Sequence, residues 1–218
     1  MSSFVLKIIA CLTMLIDHAA IIFSDHLPYA LYMALRGVGR SAFVIFCFLI
    51  AEGFIHTRSR GRYALRLGLF ALLCEIPFDL LFYGQVLSFS HQNVYLTLLL
   101  GLLGLWGYAA LREKGMPVIG LLCPAVCALM AELLRADYGA GGVWLIAVLY
   151  LLREHKLWQG AAVLVLLFWM GDWLQAFGIV GWLLCLTYNG RRGPNIKYAF
   201  YAFYPLHMLG LLFSRYIL

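Results

Sequence analysis

Several side chains that ionise or move protons stand inside the most apolar stretches of this sequence. His18 is one of them. An uncharged imidazole takes a proton from a hydroxyl or an amine, and does so better when a second group orients its other ring nitrogen. Asp17 precedes it, but consecutive helical residues point about 100° apart, so the orienting carboxylate is equally Glu75 or Asp79. Arg36 and Arg40 lie one helical turn apart, Glu75 and Asp79 are likewise spaced around Pro77, and His207 follows Pro205. A guanidinium such as that of Arg40 carries permanent charge. Charge buried in hydrocarbon is costly, so such residues face a protein interior or a wet cavity and mark a working site. A plainer reading gives Arg36 and Arg40 to Glu75 and Asp79 as ion pairs that hold helices together.

The elements that must position these groups are helices. Hydrophobic residues make up 64% of the chain and charged residues 12%, too few polar groups to cover a soluble surface. Apolar runs long enough to cross a bilayer recur from end to end, over 4–24, 29–55, 63–83, 93–112, 117–134, 142–153, 157–172, 177–189 and 197–216. The expectation is an all-α, polytopic membrane protein of about nine spans, with residues 1–218 forming a single domain. The sixth and eighth spans are short. With the N-terminus inside, eleven Lys and Arg fall in inner connections (Arg58, Arg62, Arg112 and Arg191 among them) and only Arg135 and Arg215 outside. That bias predicts a cytoplasmic N-terminus and an external C-terminus. His18 then lies about 16 Å along the first helix from Lys7. Arg40, Glu75 and His207 fall near the same depth on three other spans.

The remaining features read as scaffold. The net charge of +6 is spread over short loops instead of one stripe, which argues against a nucleic-acid partner. All six cysteines sit in apolar segments and read as small core residues. No metal is expected, even at the Cys123/Cys127 pair. The N-terminal run carries Asp17 and His18 and reads as a first span, not a cleaved signal peptide. Asp172 and Gln175 fall at an outer loop and are expected to face water. Glu52, close to the inner surface, reads as solvated or Arg-paired. The aromatic run Tyr198 to Tyr204 reads as packing and interface anchoring.

The residues also resemble a family. Lys7-Ile-Ile-Ala-Cys-Leu-Thr-Met-Leu-Ile-Asp-His18 is similar to the opening of the TraX proteins, membrane proteins linked to N-acetylation of conjugative pilin. The likeness continues through Arg36-Gly-Val-Gly-Arg-Ser-Ala-Phe43, Ala51-Glu-Gly-Phe-Ile-His-Thr-Arg58, and Tyr63 with Arg66-Leu67. It then runs through Glu75-Ile-Pro-Phe-Asp79, Asn93-Val94 and the segment from Lys197 to His207. Val44 departs from it, since the family tends to carry proline there. More distantly, Lys7 and His18 have the spacing of the basic residue and histidine on the first helix of acyltransferase-3 membrane enzymes. The Glu-Gly-Phe at the end of the second span and the Tyr-Pro-x-His of the last are also similar in place.

These resemblances imply an acetyltransferase of the bacterial inner membrane. Cytoplasmic acetyl-CoA would set its phosphates against Lys7, Arg58, Arg62 and Arg66, with His56 beside them. Its pantetheine arm, about 15–20 Å when extended, would bring the thioester to His18. The implied catalytic set is His18, Asp17, Arg40, Glu75 and His207. The acceptor, a pilin, glycan or lipid, would arrive from the outer side. Direct transfer and a transient acetyl-histidine both fit. Two other classes remain. A proton-coupled transporter would use the buried Asp, His and Glu groups as a relay. A structural or assembly protein would use them only to fix helix packing.

Overall fold

In a computed structural model of the chain, residues 1–171, 173–194 and 196–217 are described, the side chains of Lys197, Tyr216 and Ile217 apart. Asp172, expected at an outer loop, lies outside the described residues. Among them the fold is helical, with a single isolated bridge between Gln92 and Ala136 in place of any sheet. The helices are α1 (Ser3–Ile22), α2 (Tyr29–His56), α3 (Arg60–Tyr83), α4 (Val94–Glu113), α5 (Pro117–Gly120), α6 (Leu122–Leu133), α7 (Gly139–Leu151), α8 (Lys156–Trp169), α9 (Ile179–Leu186) and α10 (Lys197–Ile217). Short 3-10 turns cover Ser24–His26 and Trp173–Gly178. The predicted spans coincide with these elements to within a few residues, except that the fifth divides into α5 and α6, and the eighth into the second 3-10 turn and α9.

Three helices among the described residues, α1, α2 and α4, are long and apolar enough to cross a membrane. Nine were expected. α3 carries Arg60, Arg62, Arg66, Glu75 and Asp79, more charge than a plainly apolar crossing holds. In α10 the tyrosines and His207 dilute the apolar run. Helices α6, α7 and α8, of 12, 13 and 14 residues, fall short of the roughly 20 that a straight crossing takes. Yet the solvent-facing side of α3 is a stripe of Leu65, Leu69, Leu72, Leu73 and Ile76, with Leu72 75% exposed. Leucines outward with Asp79 buried invert the order of a water-soluble helix.

The chain divides into two compact units. The first comprises Met1–Phe46, Pro77–Val86 and Leu167–Leu218. Here α1 packs along α10, with the Phe4 and Phe200 rings meeting edge-on at 5.8 Å. Leu6, Val44, Ile45 and Met208 are fully enclosed. The amides that open α1 have no partners within their own helix. The Ser2 hydroxyl accepts from Val5, and the carbonyls of Arg191 and Arg192 accept from Ser3 and Phe4 at 2.9 and 3.1 Å. α2 passes through Val44 as continuous helix.

The second unit comprises Cys47–Ile76 and Leu87–Leu166. Its core is the meeting of α4, α6 and α7 around Leu100, Ala128, Ala131, Ala140 and Val143. Small side chains permit the approach: a Cβ added at Gly104 would stand 2.9 Å from Pro124 Cα. Gln159 is 2% exposed and donates to the Leu149 carbonyl at 2.9 Å, so this buried amide is satisfied.

Candidate functional site

The first unit brings four of the five predicted catalytic residues into one region. α1 supplies Asp17 and His18, α2 supplies Arg36 and Arg40, and α10 supplies His207. Asp17 is buried, at 5% exposure, and both of its carboxylate oxygens are engaged. Arg36 donates to Oδ1 at 2.7 Å, and Arg40 donates to Oδ2. Gly39 makes this possible, because a Cβ there would overlap the Asp17 side chain. Two guanidinium groups on one carboxylate leave a net positive charge beside the histidine.

His18 meets an imidazole where a carboxylate was expected. Its Nδ1 is 2.8 Å from His207 Nε2, with ring centroids 5.1 Å apart and planes 18° from parallel. His207, 8% exposed, places its own Nδ1 3.0 Å from the Phe203 carbonyl oxygen. Phe203, one turn earlier on α10, also stacks its ring on His207 at 5.0 Å. Phe82 contacts the His18 ring edge-on at 5.3 Å. The sequence reading assigned the Tyr198–Tyr204 run to packing and missed Phe203. Its spacing of four residues before His207 was the available signal, since such residues share a helix face.

Glu75, in the second unit, accepts from both the side chain and the backbone amide of Asn93, the latter at 3.3 Å. Asn93 also caps α4 by accepting from the Tyr95 amide at 3.0 Å and donates to the Ala71 carbonyl at 2.7 Å. Glu75 is thus tied into the start of α4. Asp79, in the first unit, is fully buried.

Of the predicted basic residues, Lys7 is half-buried on α1 in the first unit, its ammonium 5.6 Å from the Phe200 ring centre. In the second unit Arg58 and Arg62 are exposed. Arg66 lies over the Tyr63 ring at 5.5 Å. His56 stands 3.4 Å from Glu52, one turn earlier on α2. Glu52 therefore faces a histidine, not an arginine.

An apolar cavity of about 550 Å³ also lies in the first unit, lined by Thr13, Met33, Gly37, Ser41, Phe177 and Val180 among others. The Thr13 and Ser41 hydroxyls are turned back onto the Ile9 and Val38 carbonyls at 2.9 and 2.6 Å. This lining suits hydrocarbon and not a nucleotide.

Residues 2–215 match the TraX protein family. A relative described as the probable fimbrial assembly protein FimC, serogroup H1, of Dichelobacter nodosus is 30% identical over 234 aligned positions, which cover 95% of this chain and 93% of the relative. No solved structure matches. The pattern of Lys7 to His18, Arg36 to Phe43 and Glu75 to Asp79 therefore lies within a match that takes in nearly the whole sequence, and the chain belongs to the TraX family.

Proposed function

We propose that this protein is a multi-pass acetyltransferase of the bacterial inner membrane, moving an acetyl group from acetyl-CoA to a hydroxyl or amine reached from the outer side. The observation that carries the reading is the half-buried His18, held through one ring nitrogen by His207 and set beside the Asp17–Arg36–Arg40 cluster. A general base needs a fixed ring with one nitrogen bare, and the developing oxyanion needs a fixed positive charge nearby. Both requirements find candidates within the first unit.

In the reaction His18 takes the proton from the acceptor as its oxygen or nitrogen bonds to the thioester carbon. Arg40 steadies the resulting oxyanion. The carbon–sulfur bond then breaks, and the departing thiolate recovers the proton from His18. Lys7, on the same helix about 16 Å away, suits a phosphate of the donor at the distance that a pantetheine arm spans. Arg58, Arg62, Arg66 and His56 are proposed as further contacts for the donor's nucleotide. Glu75 and Asp17 serve by holding neighbouring groups in place. The relative named for fimbrial assembly lends support to a pilus subunit as one acceptor; a surface glycan or a lipid has the same reactive groups. A single domain with nine crossings and a cytoplasmic N-terminus completes the proposal. The leucine stripe on α3 and the charge bias of the loops support it.

The test is saturable binding and slow hydrolysis of acetyl-CoA by the detergent-purified protein, wild type beside His18→Ala. Binding by both with turnover by wild type alone is expected. A folded wild-type sample that binds no acetyl-CoA would overturn the acetyltransferase reading.

A further inference from the structure

With both imidazoles neutral, the hydrogen-bond chain from His18 on α1 through His207 to Phe203 on α10 fixes which nitrogen of His18 is bare. A carbonyl oxygen only accepts, so His207 must present Nδ1–H to Phe203. In neutral imidazole the other nitrogen then carries the lone pair, which makes His207 Nε2 an acceptor. Its partner at 2.8 Å is His18 Nδ1, which must be the donor. His18 is left with Nε2 bare. The direction of each bond follows from the last acceptor in the chain, a backbone oxygen that cannot change its role. The stacked Phe203 ring on His207 and the edge of Phe82 on His18 restrict rotation of both rings.

We propose that His207 is the positioning residue that holds His18 in its Nδ1–H tautomer, so that His18 Nε2 is the atom that takes the acceptor's proton. The role of that atom rests on the acetyl-transfer reading; the tautomer does not. When His18 Nε2 accepts the proton, its Nδ1–H remains donated to His207 Nε2, and the positive charge is shared with a neutral imidazole. This differs from the carboxylate-oriented histidine of hydrolase triads. The one carboxylate adjacent in sequence, Asp17, is already committed to Arg36 and Arg40.

The experiment uses the full-length protein in detergent with isotopically labelled histidine ring nitrogens, whose magnetic resonance signals separate protonated from bare sites. His18→Gln and His207→Gln identify the two residues' signals among the six histidines. Wild type is expected to show His18 protonated at Nδ1 and bare at Nε2. In His207→Leu the two tautomers should mix, with kcat for acetyl-CoA hydrolysis falling roughly 10- to 100-fold and KM for acetyl-CoA unchanged. In His207→Gln the amide oxygen can again accept from His18 Nδ1–H, and both the signal pattern and most of the rate should return. A proton on His18 Nε2 in wild type, or wild-type kcat in His207→Leu, would overturn the proposal. Should wild type prove inert toward acetyl-CoA, the acetyltransferase reading falls alone, and the wild-type spectrum still decides the tautomer.

Discussion

At the scale of single residues, Asp17 has the most consequential surroundings. It is buried and is the shared counter-charge of Arg36 and Arg40. Removing one partner from a buried ion cluster leaves uncompensated charge and costs about 3–5 kcal/mol. Asp17→Asn keeps the shape and removes the charge, so it should lower the thermal unfolding midpoint of the detergent-purified protein markedly. An unchanged midpoint would mean that the arginines do not depend on Asp17. The sequence showed that Asp17 was in the wrong place for an apolar helix. It did not show whom Asp17 would meet, because its partners come 19 and 23 residues later on another helix, and side-chain periodicity within one helix says nothing of the register between two.

At the scale of elements, glycine positions separate contact from mere presence. Gly104 of α4 has the Pro124 backbone where a side chain would go, and backbone cannot step aside. Gly104→Ala should destabilise the α4, α6 and α7 cluster by about 1–3 kcal/mol, as overpacking does. Gly210 of α10 has no atom within 4 Å of its would-be Cβ. Gly210→Ala should therefore be neutral or stabilise by roughly 0.5–1 kcal/mol, the helix preference of alanine over glycine. Unfolding midpoints of the two variants, measured side by side, check both. Equal midpoints would contradict the tight approach of α4 to α6. Neither glycine is distinguishable from the other in sequence, since both sit in apolar helices.

For the whole molecule, the loop charges and the outward leucines of α3 make one statement about orientation. In a protein stripped of its native cysteines, a cysteine introduced at the exposed Leu87 should react with a membrane-impermeant thiol reagent on intact cells. A cysteine at Ser59, beside Arg58 and Arg60, should react only after permeabilisation. The reverse pattern would discard the cytoplasmic N-terminus, and labelling of both on intact cells would discard the second and third crossings. Each compact unit is assembled from segments far apart in the chain, with α2 and α3 each contributing to both. A division of that kind has no linker, no polar run and no change of composition to announce it, and so it left no mark in the residue order.

The part of the fold governed by local chemistry was legible in the order of the residues. Apolar runs broken by Gly, Pro and charged loops set helices α1 to α4 and α10 within a few residues of their final limits. Burial cost singled out Asp17, His18, Arg40, Glu75 and His207 as residues that need partners. The spacing of Lys7 and His18 along a single helix follows from helical rise alone. Packing between helices chose the partners. It set His18 against His207, 189 positions away, turned both arginines onto Asp17, and gave Glu75 to the Asn93 cap of α4. These pairings depend on how helices slide and rotate against one another. That register is chosen by side-chain volume at contacts such as Gly39 against Asp17, where the missing Cβ of one residue makes room for the charge of another.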